Sequence, residues 1–273
     1  MKPIIIVHGG AGTWKNKDLK KATEKLKSAA RRGLDLMTQG ANSLEAVEQS
    51  VIMMENSGLF NAGRGACRQK DGTARMDASI MRGGDLACGA VGAIEGVRNP
   101  ISAARKVMES TDHVLLTSHF AAKFAVQEGL AQLHEPLTEA GGTGETVGAV
   151  AMDRAGLISA GTSTGGLSRG MDPGRIGDSA LVGCGTYANE YCGVSATGHG
   201  EAIIAAVLAR RASEYVELGL SPQEAAEEAI QYLQKKTGGT AGLIILDRTG
   251  RSGADFNTPH MLWDSLTAED VEP

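Results

Sequence analysis

The sequence predicts a layered α/β fold in which helices cover the outer faces of stacked sheets. Three observations lead there. Short apolar runs of strand length end on glycines, longer stretches with helical spacing come in pairs, and both halves of the chain contain both kinds. Glycine points the same way: 37 of 273 residues, close to twice the usual ~7%. Proline is scarce and apolar segments separate the glycines, so they read as tight turns and close backbone approaches rather than as disorder.

The elements follow in order. Ile4–Val7 is an apolar run ending in Gly9-Gly10, hence a buried strand. Lys17–Gln39 alternates lysine and arginine with alanine and leucine at helical spacing and stops at Gly40. A second helix begins at Asn42, with Glu45 three residues on as a capping box, and runs to Glu55. Ala74–Arg82 and Leu86–Glu95 read as neighbouring strands around Gly83-Gly84. Helix 101–109, strand 113–116 and helix 118–129 lead into a polar stretch from Gln132 to Glu145. Thr146–Asp153 and Leu157–Thr162 form a hairpin about Arg154-Ala155-Gly156. Strands are expected near 180–184 and 190–196, then helices over 200–218 and 222–236, the second entered through Ser221-Pro222. Strands 241–247 and 251–256 close the chain.

The length suits a single domain with a sizeable core, and no linker-like shift in composition divides it. A net charge of −5 and 4% aromatic content argue against nucleic acid, which needs a clustered basic surface and stacking rings. The basic run from Lys15 to Arg32 is a solvated helix face. Four apolar residues before His8 are too few for a signal-peptide core or a membrane span, so a cytoplasmic protein is expected. Cys67, Cys88, Cys184 and Cys192 lack metal-site spacing and are expected as free thiols. The six histidines are scattered, and no catalytic metal site is visible in the sequence.

Four polar-glycine runs carry the chemistry. Gly144-Glu145-Thr146-Val147-Gly148 places a threonine at the start of a strand, directly after the polar stretch. A threonine hydroxyl needs an adjacent base, and cutting the chain before Thr146 would supply one, its own α-amine, with an unperturbed pKa near ~7.7–8. Thr162-Ser163-Thr164-Gly165-Gly166 ends the partner strand, where a hydroxyl could orient that amine and Oγ. Asp172-Pro173-Gly174-Arg175 has Pro and Gly at the centre of a type II turn and presents Arg175 with Asp178 three residues on. That pair suits an α-amino-acid zwitterion, or equally a mutual surface salt bridge. Thr197-Gly198-His199-Gly200-Glu201 joins a strand to a helix, whose backbone N–H groups can serve a developing oxyanion. His199 is read as a structural or exposed histidine rather than a base. Gly10-Ala11-Gly12 and Gly141-Gly142-Thr143-Gly144 lack the third glycine and the lysine that nucleotide loops need.

Taken together in this order, the runs resemble the plant-type L-asparaginase/isoaspartyl peptidase family of N-terminal-nucleophile hydrolases. The likeness extends over nearly the whole chain and includes Val7-His8-Gly9-Gly10-Ala11-Gly12, Leu59-Phe60-Asn61-Ala62-Gly63 and Arg98-Asn99-Pro100. It implies a four-layer αββα sandwich, autoproteolysis into an α subunit (1–145) and a β subunit (146–273), and a homodimer of αβ units. By position, the resemblance makes Thr146 the nucleophile, Thr164 its hydrogen-bonded partner, and Thr197 with the Gly198 N–H the oxyanion hole. Arg175 and Asp178 would hold the substrate's carboxylate and amine, with Gly200 beside that amine and Asn61 near the nucleophile. His8, Gly9 and Gly10 would take part in maturation at Glu145–Thr146. Met54, Glu55, Ser57, Phe60, Ala62 and Arg64 would coordinate a structural sodium ion through backbone carbonyls; no catalytic cofactor is implied. The substrates implied are L-asparagine and β-aspartyl (isoaspartyl) dipeptides.

Three departures from the family pattern stand out. Glu145 replaces a common glycine before the nucleophile, the preceding segment is short, and the arginine loop carries Arg169-Gly170-Met171-Asp172, one residue longer than in some relatives. Two rivals are distinguishable. Glycosylasparaginases tend to have asparagine where Gly166 stands, and a non-catalytic amino-acid-binding protein would keep Arg175 and Asp178 without ever cutting itself.

Overall fold

The structure, a computed structural model, describes residues 1–14, 16–133, 145–167 and 171–271. Among these residues eleven strands build two sheets. The larger contains β1 (Ile4–Gly12), β2 (Met76–Arg82), β3 (Cys88–Ile94), β4 (Leu115–Thr117), β5 (Val147–Met152), β6 (Ile158–Thr164) and β11 (His260–Thr267), in the order β11-β1-β5-β6-β2-β3-β4. The smaller contains β7 (Thr186–Ala188), β8 (Cys192–Gly198), β9 (Ala241–Asp247) and β10 (Ser252–Phe256), in the order β10-β9-β8-β7. Only β3–β4 pairs in parallel.

Strand alternation explains how three apolar layers form. Along β1, Ile5 and Val7 face a cluster with Leu26, Leu34, Val47 and Ile101, which belong to the helices α1 (Asn16–Thr38), α2 (Ser43–Glu55) and α3 (Pro100–Ser110). Ile4 and Ile6, on the opposite face, pack with Val150, Ile158, Ile244 and Leu246 between the two sheets. On β9 the next residues along, Leu243 and Ile245, turn outward to α6 (Leu208–Glu217) and α7 (Pro222–Thr237). Burial on both faces is why Ile4–Val7 reads as an unbroken apolar run. A helix α4 (Ser118–Gln127) sits beside β4 at the sheet edge.

Toward the C-terminal end of β1 the inter-sheet packing turns polar. His8 Nε2 lies 2.8 Å from Ser195 Oγ, which lies 2.6 Å from Thr162 Oγ1. Thr186 Oγ1 donates to Thr162 at 2.6 Å and Ser79 Oγ to Thr186 at 2.8 Å. All five side chains are fully buried, and each of the four hydroxyls finds a partner within the chain, as burial demands.

The local signals act as expected where they are chemical. Asn42 Oδ1 accepts from Glu45 N at 2.9 Å, and Ser221 with Glu224 forms a complete capping box around Pro222. Gly156 turns the β5–β6 hairpin with φ +82°, while Asp153 Oδ1 accepts from Ala155 and Leu157 N–H groups. The four cysteines are free. Among the described residues no helix is long and apolar enough to cross a membrane.

Three expectations need correction. Residues 180–184 are not a strand: Asp178–Ala180 forms a 3₁₀ turn, Val182 makes a single isolated bridge to Thr186, and continuous pairing begins at Thr186. The helix over 200–218 is two helices, α5 (Gly200–Ala206) and α6, divided at Val207, whose φ of +48° is left-handed. The break is tertiary in origin, because Ala209 and Arg210 donate to the carbonyls of Cys184 and Gly183 at 3.0 and 2.8 Å. The strand β11 was not expected, and it closes the large sheet by pairing with β1 from the far end of the chain.

Candidate active site

Register places the nucleophile candidate. Antiparallel pairing of β1 with β5 sets His8 opposite Gly148. Thr146, the residue before β5, thus lies against Gly10, where a Cβ would stand 2.8 Å from the Thr146 carbonyl oxygen. The β5–β6 hairpin sets Val147 opposite Ser163, so the next residue of β6, Thr164, comes beside Thr146. The Thr146 hydroxyl donates to Thr164 Oγ1 at 3.0 Å, and Thr164 Oγ1 also accepts from Gly166 N at 3.1 Å.

Asn61 ties this corner together. Its N–H donates to the Glu145 carbonyl oxygen at 3.1 Å, and its own carbonyl accepts from Gly165 N at 2.7 Å. Its Oδ1 accepts from Cys67 N at 2.9 Å, and its Nδ2 donates to the Gly166 carbonyl at 2.5 Å. The peptide bond before Thr146 is therefore held by a main-chain donor while the Thr146 hydroxyl stands beside it. Gly9 has no room for a side chain, since a Cβ would meet the buried Phe60 ring at 2.5 Å.

Two titratable groups flank the bond. His8 is fully buried; desolvation lowers its pKa to about 3, opposed by the Thr146 main-chain carbonyl, which favours the protonated ring, so the ring is neutral across the physiological range. The Glu145 carboxyl is packed against Gly12, where a Cβ would meet its Oε1 at 2.5 Å, and burial pushes its pKa up to about 7.

The second half of the site is built from loops. Arg175 N donates to Asp172 O at 3.2 Å and Gly174 has φ +88°, the turn that Pro173-Gly174 predicts. Arg169 and Gly170 lie outside the described residues. Arg175 does not bridge to Asp178 as a surface pair would. Its Nε and Nη2 donate to Glu201 Oε1 and Oε2 at 3.0 and 3.2 Å, along one edge of the guanidinium. The Nη1 corner of the guanidinium group faces Met171 Sδ at 3.9 Å. Gly177 and Gly200 make room for that group: a Cβ on Gly177 would stand 2.5 Å from Arg175 Nη1, and one on Gly200 would press on Nη2 and stand 2.8 Å from Asp178 Oδ1.

Asp178 is 6% exposed, and its Oδ2 is buried without a hydrogen-bond partner. Burial raises its pKa to about 7, opposed by Arg175 and aided by the Asp77 and Glu201 carboxylates. An unpartnered buried oxygen is a costly feature that a ligand ammonium would satisfy. Thr197 is fully buried with its Oγ1 accepting from Ala11 N at 3.2 Å, which leaves its own proton for an oxyanion. Gly198 has φ +136° and is backed by Ala241, where no side chain fits. His199 is half-exposed with Nε2 3.5 Å from Glu201, clear of the Thr146 bonding network.

Glu201 is the functional candidate that sequence reasoning passed over. It lies in the fourth run, but its partner is 26 residues away, and only an acidic residue in the first helical turn hinted at it. In the stretch from Met54 to Arg64, the carbonyls of Gly58 and Phe60 crowd around Gly65, and that of Glu55 around Gly63. The Glu55 side chain is occupied otherwise, with Oε1 accepting from Ser163 Oγ at 2.7 Å and Ile101 N at 3.1 Å, so any ligand role there falls to its carbonyl.

With the geometry in place, comparisons identify the family. The family model described as Asparaginase matches residues 1–141 and 132–272. The isoaspartyl peptidase/L-asparaginase of Xenopus laevis is 42% identical over 290 residues, covering 97% of this chain and 93% of the relative. The plant-type L-asparaginase of Pyrococcus furiosus is 42% identical over 303 residues, covering 98% of each. That of Thermococcus kodakarensis is 43% identical over 290 residues, covering 94% of each. Near-complete coverage at this identity leaves no segment to be explained by another fold, and the chain belongs to the asparaginase family.

Proposed function

We propose that this chain is made as a precursor that cuts itself at Glu145–Thr146, and that the product hydrolyses the side-chain amide of L-asparagine and β-aspartyl dipeptides. The observation that carries the reading is the conjunction at the scissile bond: the Thr146 hydroxyl 3.0 Å from Thr164 Oγ1, and the Glu145 carbonyl held by Asn61 N–H at 3.1 Å. Thr146 Oγ attacks the Glu145 carbonyl carbon, and its proton passes to the departing Thr146 nitrogen. Asn61 N–H stabilises the oxyanion. Water then hydrolyses the ester, leaving the Glu145 carboxylate on residues 1–145 and a free amine on residues 146–273. Both subunits contribute strands to the larger sheet, so the cut fold holds together as the αββα sandwich of N-terminal-nucleophile hydrolases.

In the mature enzyme the Thr146 amine takes the hydroxyl proton as Oγ attacks the substrate's side-chain carbonyl. Thr197 Oγ and Gly198 N–H stabilise the tetrahedral oxyanion. The amine returns the proton to the leaving ammonia or amino group, and water releases aspartate from the acyl-enzyme. Arg175 receives the α-carboxylate through its Nη1–Nη2 edge, replacing the long Nη1 contact to Met171 Sδ, while Asp178 and Gly200 receive the α-ammonium. We further propose a homodimer of αβ units and a structural sodium ion on the loop from Met54 to Arg64. Main-chain carbonyl oxygens, such as those of Glu55 and Phe60 in this loop, are the ligand type a hard cation takes, and the ion would hold that loop, and so Asn61, in place.

Ammonia release from L-asparagine and cleavage of a β-aspartyl dipeptide test the reading, with glycosylated asparagine run beside them. Turnover of the first two supports it. Turnover of the glycosylated substrate alone makes the chain a glycosylasparaginase, and tight asparagine binding without ammonia makes it a binding protein.

A further inference from the structure

Asp77 lies on β2 directly opposite Thr164 on β6 and is 2% exposed. Its carboxylate reaches two ways. Oδ1 accepts from Ala93 N at 2.8 Å, and Oδ2 accepts from Gly177 N at 2.8 Å. Ala93 has a φ of +48°, a left-handed conformation that L residues adopt at a cost, near a register shift between β2 and β3. Gly177 belongs to the loop that carries Arg175 and Asp178. The same loop rests on β3 through Ile176, which leaves no room for a side chain on Gly92. Asp77 thus ties the Gly177 backbone to the strand beside Thr164, and two residues along the same strand Ser79 Oγ donates to the Ser179 carbonyl at 2.7 Å.

We infer that Asp77 is a positioning residue: it sets the Arg175–Asp178 loop against the nucleophile's sheet and, as a carboxylate, is electrostatically coupled to Asp178. The inference rests on the reading that Arg175 and Asp178 receive the amino acid. Asp77, Asp178 and Glu201 share one guanidinium, Arg175, and no other described group supplies positive charge to the first two. Cys184 faces Asp178 as a thiol, β3 offers Asp77 only the Ala93 N–H, and β6 sets Thr164 opposite it. The three carboxylates outnumber the one cation, which favours a ligand that brings its own ammonium. Burial raises the Asp77 carboxyl to about 6 and Asp178 to about 7, and each ionised group opposes ionisation of the other.

The experiment compares kcat/KM for L-asparagine from pH 5 to 8.5 in the wild type, Asp77→Asn and Asp77→Asn/Ala93→Gly, each checked for self-cleavage and Tm. Removing the Asp77 charge lowers the Asp178 pKa, so the acid limb moves about 1 pH unit downward, while loss of the Gly177 bond raises KM roughly tenfold at pH 8. Glycine relieves the left-handed residue, so the double variant regains Tm but keeps the raised KM and the shifted limb. An unmoved limb, or a KM restored together with Tm by Ala93→Gly, makes Asp77 a purely structural residue and overturns the inference. Should the wild type itself fail to turn over asparagine, the functional reading falls first and takes this inference with it; a normal wild type with an unmoved variant limb defeats Asp77 alone.

Discussion

The two ends of the site are built in opposite ways. Around Thr146 the hydrogen-bonded groups are uncharged, and the bonds that place them come from strand register or the main chain: Thr164 from the hairpin, Asn61 N–H on the Glu145 carbonyl, Ala11 N on Thr197. Around Arg175 the groups are charged and loop-held, with three carboxylates for one guanidinium and an unpartnered Asp178 oxygen. A corner fixed by strand register and main-chain bonds can hold a reacting geometry without a ligand. An oxygen-rich corner short of positive charge is completed only by one. Substitutions at the first end should therefore act on kcat and on maturation, and those at the second on KM and pH dependence.

The largest effect expected is from Thr146→Ala, which removes both the attacking hydroxyl and the route to the free amine. The chain stays uncut on a gel and asparaginase activity falls by about 10⁴-fold or more; normal turnover would abolish the distinction between the two ends. Next is Arg175→Lys. Lysine keeps the charge but cannot bridge Glu201 and a ligand carboxylate at once, so KM rises roughly 10–100-fold with cleavage intact. A change confined to kcat would show that Arg175 serves the chemistry instead.

Acidity sharpens the contrast further. Asp178 is raised to about 7; if it receives the ammonium as proposed, it does so only when ionised, and KM should climb as pH falls through about 7. On the same proposal, the free Thr146 amine would lose its function as it protonates, so kcat should fall over its own range. In Asp178→Asn the KM limb vanishes and the kcat limb remains; loss of both limbs together would contradict the division. The smallest effect concerns Glu145, whose folded pKa is raised from 4.5 to about 7. A raised acid destabilises the fold as pH rises through that window, because the native state then binds more protons than the unfolded one. In the uncut Thr146→Ala background, Glu145→Gln should gain stability over the parent on going from pH 5 to 8, by on the order of 3 kcal/mol at most. Parallel Tm curves for the two proteins would remove Glu145 from the account.

What could be read from the chain follows the same line. Turn chemistry and hydroxyl runs are local, so Asp172-Pro173-Gly174-Arg175, the Gly156 hairpin and the Ser221 cap stand as expected. Long-range pairing is not local. Strand β11 mixes buried Met261 with half-exposed Trp263 and joins β1 across almost the whole chain, leaving little periodic signal. Ala180-Leu181-Val182 has a strand's composition, yet the Asp178 turn and the Gly183 and Gly185 bends consume it. Val207 has no sequence signal for a helix break, since the break is imposed by carbonyls of residues 183 and 184. Glu201 and Asp77 escaped for a related reason: each acts through a loop that the sequence alone does not bring near it.

The most direct measurement is the intact mass of the purified 28.3 kDa chain after incubation at neutral pH, with Thr146→Ala in parallel. The account predicts two fragments ending at Glu145 and beginning at Thr146 in the wild type, and one uncut species in the variant. A wild-type chain that stays whole while releasing ammonia from asparagine would contradict the claim that the Thr146 amine is the base.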